Sequence, residues 1–91
     1  MRVRWRASAL DDIGRIHDYI RQHNLDAARR LVEELVVAGD SLSTFPYRGR
    51  PGSRPGFREL TTIRPYVIAY RVEAGGMVTI LRVWHAARSQ D

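Results

Sequence analysis

The sequence contains no cysteine and no lysine among its 91 residues. The absence of cysteine excludes a disulfide framework, a thiolate nucleophile and a cysteine-ligated zinc or iron–sulfur site. Apolar runs are a few residues long, far short of the roughly 20 that cross a bilayer, and no apolar stretch near the start is typical of a signal peptide. We therefore expect a cytoplasmic protein, with a small core stabilised by burial alone or completed by a partner.

The arginines, which supply all fifteen basic residues, are unevenly distributed. Residues 1–46 carry seven arginines and seven acids, whereas residues 47–91 carry eight arginines and three acids, so the whole net charge of +5 lies in the second half. This asymmetry is typical of a surface that meets nucleic acid, an anionic surface or an acidic protein. A genome biased towards arginine codons would explain the missing lysine but not the asymmetry. We therefore predict a functional basic face in the second half.

The first half of the chain predicts one strand and two helices. The chain opens with arginines that alternate with two apolar residues, a pattern that favours a short strand. Apolar spacing then predicts a helix over residues 8–23, with the hydroxyl of Ser8 as its N-cap. A second amphipathic helix begins near Asn24 or Asp26 and runs to a proline-rich loop, with a kink or early fray near Gly39. The two helices should form an antiparallel hairpin.

The second half predicts a charged loop and three strands. Residues 46–56 hold three prolines, three glycines and three arginines, a composition typical of a loop. Strands are predicted over Phe57–Thr62, Tyr66–Glu73 and Met77–His85, with Gly75-Gly76 as a hairpin turn. The fold class is thus α+β, a single domain over residues 1–91 with the order β–αα–βββ. Its antiparallel-rich sheet carries the helical hairpin on one face and leaves the other face for a partner.

Seven segments carry a resemblance through their order and spacing: Ala9–Ile13, Tyr19-Ile20, Asn24–Ala28, Phe45–Gly52, Arg58–Leu60, Tyr66–Val72 and Ile80–Arg88. Together they resemble the RelE/ParE superfamily, the toxin halves of type II toxin–antitoxin modules, over essentially the whole chain. The resemblance implies a toxin that a cognate antitoxin neutralises in a hetero-oligomer. It implies no cofactor, no metal and no membrane partner.

The superfamily has two activities, and the resemblance favours one of them. RelE-like members enter the ribosomal A site and cut mRNA, whereas ParE-like members inhibit DNA gyrase and cut no RNA. Ala86 stands where mRNA-cutting members carry a tyrosine, and Val67 stands where they usually place an arginine. The strand over Tyr66–Val72 and the ending Leu81–Arg88 are more similar to the gyrase-directed branch. We therefore predict a ParE-like inhibitor of DNA gyrase.

The alternative is a RelE-like endonuclease whose partners are the ribosome and mRNA. Metal-free RNA cleavage needs a base, an acid and cations around the phosphate. For that chemistry the candidate residues are His85, Glu59, Arg58 and Arg88. A non-toxic nucleic-acid-binding module is a remote alternative, because Tyr66 and Tyr70, which share one strand face, flank Ile68 and are expected to belong to the core rather than to stack on bases.

Target or antitoxin binding is predicted for the arginines of the second half and for one tryptophan. Arginine suits this role because its planar guanidinium group can donate two hydrogen bonds to one anionic group. The predicted residues are Arg48, Arg50, Arg54, Arg58, Arg71, Arg82, Trp84 and Arg88. Purely structural roles compete with these assignments: an exposed ion pair between Arg58 and Glu59, outward-facing strand positions for Arg71 and Arg82, and packing for Trp84.

Overall fold

Two helices and one five-stranded sheet make up the fold of this protein. The structure is a computed structural model that describes residues 1–87. Within that range, no helix is long and apolar enough to cross a membrane. In chain order the elements are β1 (Arg2–Trp5), α1 (Ala7–Arg21), α2 (Leu25–Asp40), a short 3-10 helix (Ser41–Ser43), β2 (Arg50–Pro51), β3 (Phe57–Leu60), β4 (Tyr66–Glu73) and β5 (Met77–His85).

The sheet has the strand order β1-β5-β4-β3-β2, in which β1 runs parallel to β5 and the other pairs are antiparallel. The predicted α+β class and the order β–αα–βββ are therefore confirmed, with one additional strand. That strand, β2, pairs Arg50 with Glu59 and Pro51 with Arg58. The bounds of β4 and β5 are as predicted, whereas β3 ends at Leu60, two residues earlier than expected.

The hydrophobic core lies between the helical hairpin and one face of the sheet. Each Leu or Ile that is removed from water there stabilises the fold by about 1.5–3 kcal/mol. Tyr66, Ile68 and Tyr70 alternate along β4 and are all buried, as period-two patterning requires. The helices contribute Ile13, Ile16, Leu35 and Leu42, and the strands contribute Leu60, Ile68, Tyr70, Val78, Ile80 and Val83.

The helix N-termini differ in how their first amide groups are satisfied. Asn24 caps α2 as predicted, since its side-chain oxygen accepts a hydrogen bond from the Ala27 amide at 3.0 Å. The prediction that Ser8 caps α1 is wrong, because Arg6 holds the N-cap position without a side-chain bond. The Ser8 hydroxyl instead donates to the Leu81 carbonyl of β5 at 2.8 Å.

Gly39 allows α2 to approach β1. The predicted kink or early fray near this residue corresponds to the end of the α-helix at Asp40, where the short 3-10 helix Ser41–Ser43 begins, and Gly39 itself is buried. A Cβ atom added at Gly39 would lie 2.3 Å from Cζ2 of Trp5, too close for any side chain. The Trp5 indole also donates to the Asp40 carboxylate at 3.0 Å. The glycine is thus needed for packing rather than for flexibility.

Candidate functional site

At the junction between α1 and β5, residues at the start of the helix bond to the edge of β5 where β1 has already ended. β1 ends at Trp5, opposite Ile80, so the rest of β5 has no strand along that edge within the described residues. The Arg6 amide donates to the Ile80 carbonyl at 3.0 Å, and the Ser8 hydroxyl satisfies the next carbonyl, that of Leu81. The first turn of α1 therefore continues the hydrogen bonding that β1 begins.

Asp12 completes this junction and neutralises one arginine. Its carboxylate accepts from the Val83 amide at 2.9 Å, from Arg82 Nε at 2.7 Å and Nη2 at 3.0 Å, and from Arg15 Nη2 at 3.0 Å. Asp12 is only 5% exposed. Burial acts to raise the pKa of Asp12, but the hydrogen bonds from Arg82, Val83 and Arg15 outweigh it, and the pKa lies below its usual value. The same contact raises the pKa of Arg82.

Arg82 therefore has a structural partner in addition to its predicted role in binding. Sequence reasoning missed Asp12 altogether, although a signal was present. Asp12 falls among Ala9, Ile13 and Ile16 on the buried face of α1. An acid at a core position must be hydrogen-bonded or paired, so this position alone predicts a cationic partner across the interface.

A second arginine fixes the loop that precedes β2. The Tyr70 hydroxyl donates to the Pro46 carbonyl and accepts from the Gly49 amide, both at 2.9 Å. Arg58 donates to the Gly49 carbonyl at 2.6 and 3.1 Å and to the Tyr47 carbonyl at 3.2 Å. Its guanidinium carbon lies 5.4 Å from the centroid of the Tyr47 ring, in cation–π geometry. We call this cluster the loop corner.

The ion pair of Glu59 is not the one suggested by the sequence. Glu59 pairs with Arg50, its neighbour across β2 and β3, at 2.9 and 3.2 Å. Arg58 lies opposite Tyr70 and shares its side of the sheet, towards the helices. The proposed Arg58–Glu59 ion pair is therefore wrong, because adjacent residues of a strand point to opposite faces.

The face of the sheet that points away from the helices is lined by charged side chains. Glu73 accepts a hydrogen bond from the Thr79 hydroxyl and lies 3.6 Å from Arg71 and 3.9 Å from Arg4. The Thr79 bond and these two arginines lower the pKa of Glu73. Two rows of register partners cross this open face, Arg50–Glu59–Ala69–Arg82 and Phe57–Arg71–Thr79–Arg4.

The end of the open face near His85 contains a shallow hollow of about 380 Å³. Val67, which lies opposite Trp84, lines this hollow and is only 4% exposed. His85 accepts a hydrogen bond at Nδ1 from the Ala87 amide at 3.1 Å, and its ring contacts the edge of Tyr66 at 5.3 Å between centroids. This region brings one imidazole and apolar surface together.

The remaining predicted residues have few partners. Arg48 donates to the Ser41 hydroxyl at 2.7 Å. The Arg54 carbonyl accepts from the Phe57 amide at 3.1 Å, whereas the Arg54 side chain makes no hydrogen bond or ion pair with any other residue between 1 and 87. Arg71 contacts Glu73 and also lies 5.5 Å from the centroid of Phe57. Arg88, the last predicted arginine, lies outside the described residues.

The comparisons with known proteins now identify the family. Residues 3–90 match the family described as "ParE toxin of type II toxin-antitoxin system, parDE". This chain belongs to the ParE toxin family. It is a type II toxin of the RelE/ParE superfamily, as the resemblance implied.

Relatives of this ParE-family toxin carry names from both branches. "Toxin RelE2" of Caulobacter vibrioides is 46% identical over 86 residues, which cover 94% of this chain and 96% of that protein. A solved chain of the chromosomal ParDE system from P. aeruginosa is similar with a TM-score of 0.81 and 30% identity, over 93% and 95% of the two chains. A chain of the RelBE2 toxin–antitoxin complex from Mycobacterium tuberculosis has a TM-score of 0.71 and 26% identity, over 92% and 95%.

Proposed function

We propose that this ParE-family toxin inhibits DNA gyrase without a catalytic step of its own and is neutralised by a cognate antitoxin. The observation that carries this proposal is the separation of the side chains that RNA cleavage would need. Arg58 is on the helix side of the sheet and bound to loop carbonyls, whereas Glu59 is on the open face and paired with Arg50. Acid–base catalysis requires its groups within hydrogen-bonding reach of one reacting phosphate.

The position of His85 supports the same proposal. One ring nitrogen already accepts from the Ala87 amide, so in the neutral imidazole the other nitrogen carries the proton. To act as a general base through that nitrogen, His85 would have to release the Ala87 amide and offer the lone pair to the 2′-hydroxyl group. The lining of the hollow nearby holds two arginines, Arg50 and Arg64, but no carboxylate or second imidazole.

Antitoxin binding is proposed for the open face. The arginines on this face outnumber its two acids, Glu59 and Glu73, and each acid is already paired. Trp84, which is partly exposed, adds apolar surface of the kind that a partner chain covers. The M. tuberculosis neighbour is itself a toxin–antitoxin complex, which favours such a partner here.

Inhibition of gyrase is tested with purified toxin, gyrase, ATP and relaxed plasmid. Supercoiling should fall as toxin is added, while a ribosome-bound mRNA incubated with the same toxin should stay intact. Unchanged supercoiling together with cleaved mRNA would contradict the proposal.

The RelE-like alternative is favoured by one observation, the name of the Caulobacter relative at 46% identity. It predicts that His85→Ala and Arg58→Ala abolish mRNA cleavage on the ribosome. Arg58 also holds the loop corner, so His85→Ala is the more specific of the two variants. Retained toxicity in folded His85→Ala would count against the endonuclease.

Charge reversal tests the basic face that the sequence predicts for the second half of the chain, residues 47–91. Changing Arg50, Arg58 or Arg88 to Glu should weaken the antitoxin complex or abolish toxicity, because each change replaces an attractive charge by a repulsive one. If all three variants remained toxic and fully neutralised by antitoxin, the basic face would have no part in either interaction.

A further inference from the structure

One stretch of the chain differs from the rest in containing no acid. Residues 41–58 hold four arginines and neither Asp nor Glu, whereas residues 7–40 hold four arginines and seven acids. The stretch covers the loop corner and the β2–β3 hairpin. The positive charge of this stretch is therefore concentrated within it and is not an average property of the whole chain.

Three of these four arginines keep their charge unopposed in the part of the chain that the structure describes. Arg58 donates to backbone carbonyls, Arg48 donates to a hydroxyl, and Arg54 has no partner among residues 1–87. Neutral acceptors orient a guanidinium group without cancelling its charge. Only Arg50 is paired with an acid, Glu59.

The same surface exposes two aromatic rings on a loop that is held in place. Phe45 and Tyr47 are each 62% exposed. The Tyr70 hydroxyl fixes the backbone between and beside them, through Pro46 and Gly49. Because the loop is already ordered, little conformational entropy is lost when a ligand binds these rings.

Tyr47 lies between two hollows that form one continuous surface. One hollow, of about 470 Å³, is lined by Tyr47, Arg54 and Arg58 with proline walls, and the other, of about 350 Å³, is lined by Phe45, Tyr47 and Arg48. Apart from prolines, Val72 is the one aliphatic residue in either lining.

We propose that this surface, Phe45, Tyr47, Arg48, Arg54 and Arg58, binds single-stranded nucleic acid. Its guanidinium groups contact phosphates, and its exposed rings stack on bases, which is the combination that single-strand-binding proteins use. The absence of acids removes the repulsion that a phosphodiester chain would otherwise meet. The site is on the loop corner, separate from the hollow near His85, and it does not depend on gyrase being the target.

The test is fluorescence anisotropy of a fluorescein-labelled twelve-nucleotide oligo-dT with the purified chain, titrated between about 50 and 200 mM salt. Tyr47→Ala should weaken binding at least about fivefold, because one stacked base is lost. Arg54→Ser should reduce the slope of log affinity against log salt by about 0.7, one phosphate contact on a single strand. The Arg54 side chain makes no hydrogen bond or ion pair within residues 1–87, so this variant should fold normally even if Tyr47→Ala does not.

The matched control is Arg29→Ser, which removes the same charge from an exposed position on α2. Its affinity should stay within about twofold of the parent, and its salt slope should not change. Equal losses for Arg29→Ser and Arg54→Ser would overturn the proposal, since the charge effect would then be diffuse. Absence of binding at 50 mM salt would also overturn it, as would tighter binding of a labelled oligo-glutamate peptide, which would make the surface a site for acidic protein.

Discussion

Arg82 and Arg58 each join two parts of the fold, in different regions of the molecule. They differ in the charge of the groups to which they donate hydrogen bonds. Arg82 joins β5 to α1 by donating to the buried carboxylate of Asp12. Arg58 joins β3 to the preceding loop by donating to the neutral carbonyls of Gly49 and Tyr47. The α1–β5 junction therefore sets one carboxylate against its two arginines, Arg82 and Arg15, whereas the loop corner contains no acid and retains the full charge of Arg58.

This difference shows why a count of arginines does not locate a binding surface. Each arginine adds one charge to the sequence total, yet the charge of Arg82 is largely cancelled by the carboxylate beside it. The arginines that remain available to phosphates or acidic partners are those with neutral contacts or none, such as Arg48, Arg54 and Arg58. Four predictions follow from this contrast.

Removal of the acid at the junction should have the largest effect. Asp12→Ala leaves the Val83 amide unsatisfied and Arg82 without its carboxylate, so the free energy of unfolding should fall by about 3 kcal/mol. Urea unfolding followed by circular dichroism measures the loss. Asp11→Ala, a change at the exposed neighbouring acid, is the control and should cost less than about 0.5 kcal/mol. Similar losses in the two variants would contradict the role of Asp12.

A change at Gly49 should break the loop corner without altering its charge. An added Cβ would lie 2.6 Å from the Tyr70 hydroxyl and 2.8 Å from the Glu59 carbonyl, so Gly49→Ala should destabilise the fold by about 2 kcal/mol. The control is Gly14→Ala, where a Cβ meets open space on α1 and should stabilise the helix by up to about 1 kcal/mol. Equal thermal stability of the two variants would show that the corner tolerates the methyl group.

Lowering the pH should weaken the α1–β5 junction more than the loop corner. The pKa of Asp12 is lowered on folding, so its contribution to stability is present above the ordinary Asp pKa of about 3.9 and is lost as the pH falls through the folded-state value. Asp12→Asn should therefore show a weaker fall in unfolding free energy between about pH 5 and pH 2 than the parent protein. Part of the pH dependence of the unfolding free energy should remain in Asp12→Asn, because the pKa of Glu73 is also lowered. Parallel pH profiles would refute the assignment.

The smallest effect on stability is expected at Arg54, which lies between β2 and β3. Arg54→Ser removes a guanidinium group that makes no hydrogen bond or ion pair within residues 1–87, so the free energy of unfolding should change by less than about 0.5 kcal/mol. Arg82→Ser, which strips a partner from Asp12, should cost more in the same denaturant series. A larger loss of unfolding free energy for Arg54→Ser than for Arg82→Ser would contradict the contrast between the two regions.

The sequence predicts the central strands well because their signals are local. β4 and β5 are rich in β-branched and aromatic residues and are separated by Gly75-Gly76, and both glycines adopt positive φ angles in the structure. β2 could not be predicted in the same way. It has only two residues, one of them Pro51, and it exists because β3 lies beside it.

Side-chain partners were harder to predict because they depend on distant parts of the chain. Ser8 followed by an acid resembles a helix cap, but its hydroxyl bonds to Leu81, which lies 73 residues away. Glu59 pairs with Arg50 across the hairpin and not with the neighbouring Arg58. The arginine-rich loop was predicted, whereas the roles of Tyr70 and Gly49 in shaping it were not.

The central claim, a ParE-family toxin directed at DNA gyrase, is tested most directly in cells. Thymidine and methionine incorporation are compared within minutes of inducing the toxin without its antitoxin. The account predicts an early loss of thymidine incorporation while methionine incorporation continues. An early loss of methionine incorporation with DNA synthesis intact would contradict it and favour the ribosome as the target.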